Sequence, residues 1–175
     1  MAAPKKYTTE DIPISIVEEP AIAYAATAPS AFFQFVQRAL SLLGISGSIY
    51  QIHNNADFIP IINKGIPKRA LDTFMDNTGI TVPEISGIIR TSDRTLRRYT
   101  PSKKLNPEQS ERIIELAKLY SRGEEVFGTM DAFKQWMNSI VMALGNKKPK
   151  TFLDTSMGID LLMNELGRIE HGIFA

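Results

Sequence analysis

Arg94, Arg97 and Arg98, set just after Thr91-Ser92-Asp93, are the side chains whose types and spacing best fit a chemistry. On a helix, positions i, i+3 and i+4 share one broad face. An arginine on such a face can take the O6 and N7 acceptors of guanine with both arms of its guanidinium. Thr91, Ser92 and Thr95 add hydroxyls for phosphate or base edges, and Arg90 and Lys103 extend the cationic surface to either side. The plainer alternative is a basic helix that is merely solvated.

Charge along the chain favours the first reading. The net charge of the 175 residues is only +1, but residues 64–104 carry nine basic groups against four acidic ones. Residues 1–63 hold three against five, and residues 105–145 four against six. Positive charge confined to one segment is the footprint that a nucleic-acid contact needs.

For a reaction centre the inventory is thin. The chain has no cysteine, which removes thiolate nucleophiles, disulfides and zinc-finger geometry together. His53 and His171 have no metal-ligand spacing around them. Asp154, Asp160, Glu165 and Glu170 read as caps or polar helix faces in preference to paired carboxylates, and Trp136 reads as core in preference to a stacking platform. Gly44 and Gly47 build no phosphate cradle, since no Gly-Lys-Ser/Thr follows. Neither an enzyme nor a cofactor or metal site is expected. No apolar run approaches the roughly 20 residues of a membrane helix and no hydrophobic signal segment follows Met1, so the expected location is cytoplasmic.

The elements that must position the arginines are helices. Residues 1–30, with Pro4, Pro13, Pro20 and Pro29 and no periodicity, read as an unstructured tail of little function. Ser30 is a candidate cap for a first helix carrying Phe33, Val36, Leu40 and Leu43, which Gly44 stops ahead of a connector over 44–48. Short helices are expected over 57–63, from Pro67 to about 77 with Gly79 as a left-handed cap, and after Thr81 with Ile85, Ile88 and Ile89 inward. Arg90-Thr91 is then a tight turn, and Ser92 caps a helix over 93–99 that turns Leu96 and Tyr99 to the core. Two short helices joined by such a turn make a helix-turn-helix.

Asn106-Pro107-Glu108 starts a longer helix with a stripe of Ile113, Leu116, Ala117 and Tyr120, ending near Gly123. Phe133, Trp136, Met137, Ile140, Val141 and Leu144 then give the clearest helical periodicity in the chain and predict one helix running to Gly145. Asp154 or Thr155 opens the last helix, with Ile159, Leu162, Met163, Leu166 and Ile169 on one face. With no alternating strand pattern, the class is all-α. The expected division is the tail over 1–30, a helical DNA-binding domain with its helix-turn-helix over 31–104, and a second helical domain over 105–175.

From about residue 59 to 175 the chain resembles the Xre/MbcA/ParS antitoxins, which join an Xre-like helix-turn-helix to a C-terminal toxin-binding domain. The likeness rests on Gly65-Ile66-Pro67, Arg94-Thr95-Leu96-Arg97-Arg98, the segment Leu105-Asn106-Pro107-Glu108-Gln109-Ser110-Glu111-Arg112, and Glu125-Val126-Phe127-Gly128. It continues through Trp136-Met137, Ala143-Leu144-Gly145, Leu153-Asp154-Thr155, Gly158 and the ending Leu166-Gly167-Arg168-Ile169-Glu170-His171-Gly172-Ile173-Phe174-Ala175. One departure is that the family often carries a Pro-Asn break after the tryptophan, where this chain has Asn138-Ser139-Ile140-Val141. The resemblance implies a partner toxin of RES or related ADP-ribosyltransferase-like fold that acts on NAD, covered at its active site by the antitoxin. It also implies repression of the protein's own operon by a dimer that sets two helix-turn-helix motifs on a palindromic operator.

The C-terminal domain offers contacts of its own. The basic loop Lys147-Lys148-Pro149-Lys150 would complement a site shaped for anionic phosphates, although loop lysines are more often simply solvated. Asp154 and Thr155 follow it in the same matched stretch. Arg168 and His171 lie at i and i+3, and the apolar Ile173 and Phe174 stand at the end of the chain, where fraying makes burial difficult. These residues form the expected toxin contact. A stand-alone transcription regulator that senses a ligand in its C-terminal domain is the alternative.

Overall fold

The computed structural model describes residues 31–45 and 52–172. The expected tail over 1–30, most of the connector over 44–48, and Ile173 and Phe174 lie outside the described residues. Eight α-helices follow one another among those described: α1 (Ala31–Leu42), α2 (Phe58–Lys64), α3 (Lys68–Thr78), α4 (Val82–Ile88), α5 (Asp93–Arg98), α6 (Pro107–Phe127), α7 (Met130–Asn138) and α8 (Ser156–Glu170). Two isolated bridges, Pro67 with Lys104 and Val141 with Lys147, are the extended pairings among the described residues. The chain is all-α, a helix-turn-helix unit followed by a C-terminal helical unit.

The 21 residues of α6 span about 32 Å and form the axis of the molecule. α1, α2, α3, α7 and α8 all pack on it. Its stripe of Ile113, Leu116, Ala117 and Tyr120 is buried as expected, and so are Ile114, Leu119 and Ser121 on its other sides. Asn106 caps its start by accepting the Gln109 N–H at 2.8 Å while Gln109 Oε1 accepts the Asn106 N–H at 3.2 Å. This reciprocal pair satisfies two donors that the helix cannot.

Two boundaries differ from those the sequence suggests. α6 does not stop near Gly123 but runs to Phe127, with Gly128 in the left-handed region as its cap. Gly123 is instead a point of contact: a Cβ built there would lie 2.3 Å from ring atoms of Phe133, so α7 approaches α6 over a glycine. The second difference is larger. The helix expected to run from Phe133 to Gly145 ends at Asn138. Asn138 Nδ2 donates to Lys134 O at 2.9 Å and Ser139 Oγ to Trp136 O at 2.8 Å, so polar side chains take up last-turn carbonyls. The chain then leaves extended at Ser139 and reverses through Gly145 and Asn146, both at positive φ. Ile140, a member of the apolar period, and Met142, which is not, are left 68% and 77% exposed. Asn138-Ser139 produces the break without proline.

Candidate nucleic-acid interface and C-terminal contact surface

The seat of the helix-turn-helix is built from local chemistry. Thr81 caps α4 in a reciprocal box with Glu84, whose Oε2 accepts the Thr81 N–H at 2.9 Å and its hydroxyl at 2.7 Å. These bonds, the backbone N–H first, hold the Glu84 carboxyl below its usual range, with the Lys150 ammonium adding to them. Ile85, Ile88 and Ile89 enter the core. Arg90 turns the chain at φ +52°, and the Thr91 N–H reaches back to Ser86 O at 2.9 Å. The buried Ser86 hydroxyl also bonds the Asp93 carboxylate, tying α4 to the first turn of α5. This link gave no sequence signal beyond a serine on an apolar helix.

Ser92 caps α5, accepting the Thr95 N–H at 3.0 Å, and its Oγ lies 2.7 Å from Thr95 Oγ1. Leu96 anchors the helix, and Tyr99 packs partly buried against the core. After α5 the chain is strapped to α3: Pro101 O and Lys103 O accept the N–H groups of Arg69 and Lys68 at 2.9 and 2.8 Å, and the Leu105 N–H bonds Ile66 O at 2.9 Å. Gly65 makes this approach possible, since a Cβ there would stand 2.5 Å from Leu105 O. The Gly65-Ile66-Pro67 motif is therefore a packing requirement of the strap.

On this seat Arg94, Arg97 and Arg98 are all exposed, and none has an ion pair or side-chain hydrogen bond among the described residues. Arg90, also exposed, lies 3.7 Å from Glu108 in the first turn of α6. Lys103 Nζ stands 5.9 Å over the Tyr99 ring. Ser92 and Thr95 spend part of their bonding capacity on the cap, and Thr91 is half-buried. The arrangement is a short helix held rigidly from behind with three uncommitted guanidinium groups in front.

The C-terminal residues do not form one cluster of free groups. Lys147 Nζ lies 6.0 Å over the Phe152 ring, Lys148 is exposed, and Lys150 is 3.6 Å from Glu84 of α4. Asp154 is exposed; Thr155 caps α8 by accepting the Gly158 N–H at 3.1 Å. Arg168 pairs with the buried Glu165 at 3.5 Å, Glu170 pairs across to Arg122 of α6, and His171 is exposed. Sequence reasoning missed that Ile140, Met142, Met157 and Leu161 are exposed apolar side chains. Met157 and Leu161 are i and i+4 on α8, off the buried stripe of Ile159, Leu162 and Leu166, and that spacing was readable. Among the described residues no three His, Asp or Glu side chains are placed to hold a metal ion, and no helix is long and apolar enough to cross a membrane.

Fold and surface together define a helix-turn-helix protein with an appended helical interaction domain. Residues 57–118 match the antitoxin Xre-like helix-turn-helix domain and residues 122–172 the antitoxin Xre/MbcA/ParS C-terminal toxin-binding domain. The chain is 31% identical over 115 residues to an Antitoxin Xre of Photorhabdus laumondii, covering 65% of this chain and 78% of that protein. It is 33% identical over 81 residues to an Antitoxin Xre of Yersinia enterocolitica, 45% of this chain and 54% of the other. Over 129 residues it is 27% identical to a protein of a Sphingobium species named Prs ADP-ribosylating antitoxin, 68% and 81% of the two chains. The chain belongs to the Xre/MbcA/ParS antitoxin family.

Proposed function

We propose that the protein neutralises a cognate toxin of the RES or ADP-ribosyltransferase-like class, blocking its NAD-binding active site, and represses its own operon by binding operator DNA. The observation that carries the regulatory half is the trio Arg94, Arg97 and Arg98, exposed and uncommitted on a helix whose opposite side is fixed by Leu96. Cations left without acidic partners keep their full attraction for phosphate and for guanine. The family's toxin-binding domain supports the inhibitory half, as do Met157 and Leu161, exposed one turn apart on α8, where they offer a partner adjacent apolar contacts. Lys147, Lys148, Lys150, Asp154, Thr155, Arg168, His171, Ile173 and Phe174 are the residues assigned to that contact. On this reading the antitoxin works in the cytoplasm as a dimer that presents two copies of α5 to a palindromic operator.

The test takes both halves in one protein. The triple variant Arg94→Ala, Arg97→Ala, Arg98→Ala is expected to lose operator binding in gel shifts while rescuing growth against a co-expressed toxin as well as wild type. Single replacement of Arg97 is expected to cost about 1–3 kcal/mol of operator affinity if it reads a base. Normal promoter binding by the triple variant would remove α5 from the reading. Absence of a stable complex with the product of the adjacent gene would favour a stand-alone regulator.

A further inference from the structure

A groove of about 770 Å³ lies between the end of α1, α2 and the start of α3. Ile45, Pro60 and Ile61, each at least partly exposed, contribute an apolar floor over the buried Leu43, Ile52 and Ile66, and Lys64, Arg69 and Lys104 stand around it. None of these three cations has an ion pair or side-chain hydrogen bond among the described residues. The acid at the groove, Asp57, is already engaged by the N–H groups of His53 at 2.6 Å and Asn54 at 3.0 Å. Unneutralised cations around an apolar floor fit an extended apolar strand flanked by carboxylates.

The sequence outside the described residues holds a segment of that composition: Glu10-Asp11-Ile12-Pro13-Ile14-Ser15-Ile16-Val17-Glu18-Glu19. Although the tail as a whole has no sustained periodicity, Ile12, Ile14 and Ile16 stand at every second position within it, and an extended backbone would place them on one side. Four carboxylates and no basic residue bracket them. Reach is sufficient. The twelve residues of α1 span about 18 Å, and Leu43 just beyond its end lies in the groove wall. The fourteen residue-to-residue spacings from Val17 to Ala31 extend to as much as about 46 Å.

We propose that residues 10–19 dock in this groove in the same chain, with Ile12, Ile14 and Ile16 on the floor and the flanking carboxylates on Lys64, Arg69 and Lys104. Because Lys104 belongs to the strap behind α5, a docked arm also neutralises part of the positive segment, a consequence that rests on the operator-binding reading. The docking itself does not.

Zero-length carbodiimide coupling of the full chain, prepared as a mixture of unlabelled and 15N-labelled protein and mapped by mass spectrometry, needs no DNA and no toxin. Expected are amide links from Glu10, Asp11, Glu18 or Glu19 to Lys64 or Lys104 within chains of one isotope. The full-length variant Ile12→Ser, Ile14→Ser, Ile16→Ser keeps every carboxylate and is expected to lower those links at least tenfold. Links joining the two isotopes would show the arm of a second copy in the groove and overturn docking within one chain. No links, or links that the triple serine variant leaves unchanged, would overturn the proposal outright.

Discussion

Replacing Gly123 by alanine should destabilise the protein, although alanine is the better helix former by about 1 kcal/mol at an interior position. The new Cβ would sit 2.3, 2.3 and 2.5 Å from Cδ2, Cε2 and Cγ of Phe133. Carbon atoms pack at about 3.5–4.0 Å, so the ring must retreat by more than 1 Å. It has nowhere open to go: Phe133 is fully buried, with the rings of Tyr120, Trp136 and Phe127 at centroid distances of 5.1, 5.8 and 6.0 Å. Overpacking of a filled core costs about 1–3 kcal/mol, and a displacement passed through four rings belongs at the upper end. Subtracting the propensity gain leaves a net loss of about 2 kcal/mol, or a fall of about 4–8 °C in Tm for a chain of this size. Gly167→Ala in α8 is the control, because a Cβ there meets nothing within 4 Å and Tm should hold or rise. Thermal melts by circular dichroism compare the two variants. A Gly123→Ala protein that melted at or above wild type would refute the close approach of α7 to α6.

Trp136 is half-buried against Phe127 and Phe133 at 5.5 and 5.8 Å, so Trp136→Ala should cost about 2 kcal/mol, below the 3–5 kcal/mol of a fully buried aromatic; an unchanged urea midpoint would show that the indole contributes no packing. The Glu84 carboxyl is held below its ordinary value of 4.5 by the Thr81 cap, so its contribution is fully present above that value and is lost as pH falls through the lowered one. Melting temperature should therefore fall less steeply between about pH 5 and 3 in Glu84→Gln than in wild type, and identical acid limbs would show that the cap carries no net stability. Deleting residues 172–175, beyond the end of α8, should abolish toxin neutralisation with Tm and operator binding unchanged; full growth rescue by the truncated protein would move the inhibitory contact to the loop over 146–154.

The parts of the fold that could be read in the sequence are those whose boundaries are set by chemistry within four residues. Thr81 with Glu84, Ser92 with Thr95 and Asn106 with Gln109 place the starts of α4, α5 and α6, and Gly79 places the end of α3. The two misplaced ends depend on information from farther away or on competing signals. Gly123 resembles a terminator until Phe133, ten residues on, is known to lie over it. Ile140, Val141 and Leu144 keep the helical period, but the bonds made by Asn138 and Ser139 to the preceding turn end α7 before that period can be used. The site divides in the same way. The exposure of Arg94, Arg97 and Arg98 follows from Leu96 facing inward on a short helix, whereas the pairing of Lys150 with Glu84 joins residues 66 positions apart and no local pattern announces it.

That pair bears on how toxin and operator could influence each other. α6 is one helix: Glu108 in its first turn faces Arg90 of the helix-turn-helix, and Arg122 toward its other end holds Glu170 of α8. Besides α6 and the ring contacts of Phe74, Tyr120 and Phe133, the C-terminal loop meets α4 through Lys150 and Glu84, each near 40% exposed. An exposed pair of this kind contributes about 0–1 kcal/mol, which corresponds to at most about a fivefold change in operator affinity if a toxin drew Lys150 away. On the operator-binding reading, a larger effect of a bound toxin would have to come through the shared rings of Phe74, Tyr120 and Phe133 or from the number of antitoxin copies that the complex brings to the DNA, because each added α5 would contribute a further set of phosphate and base contacts.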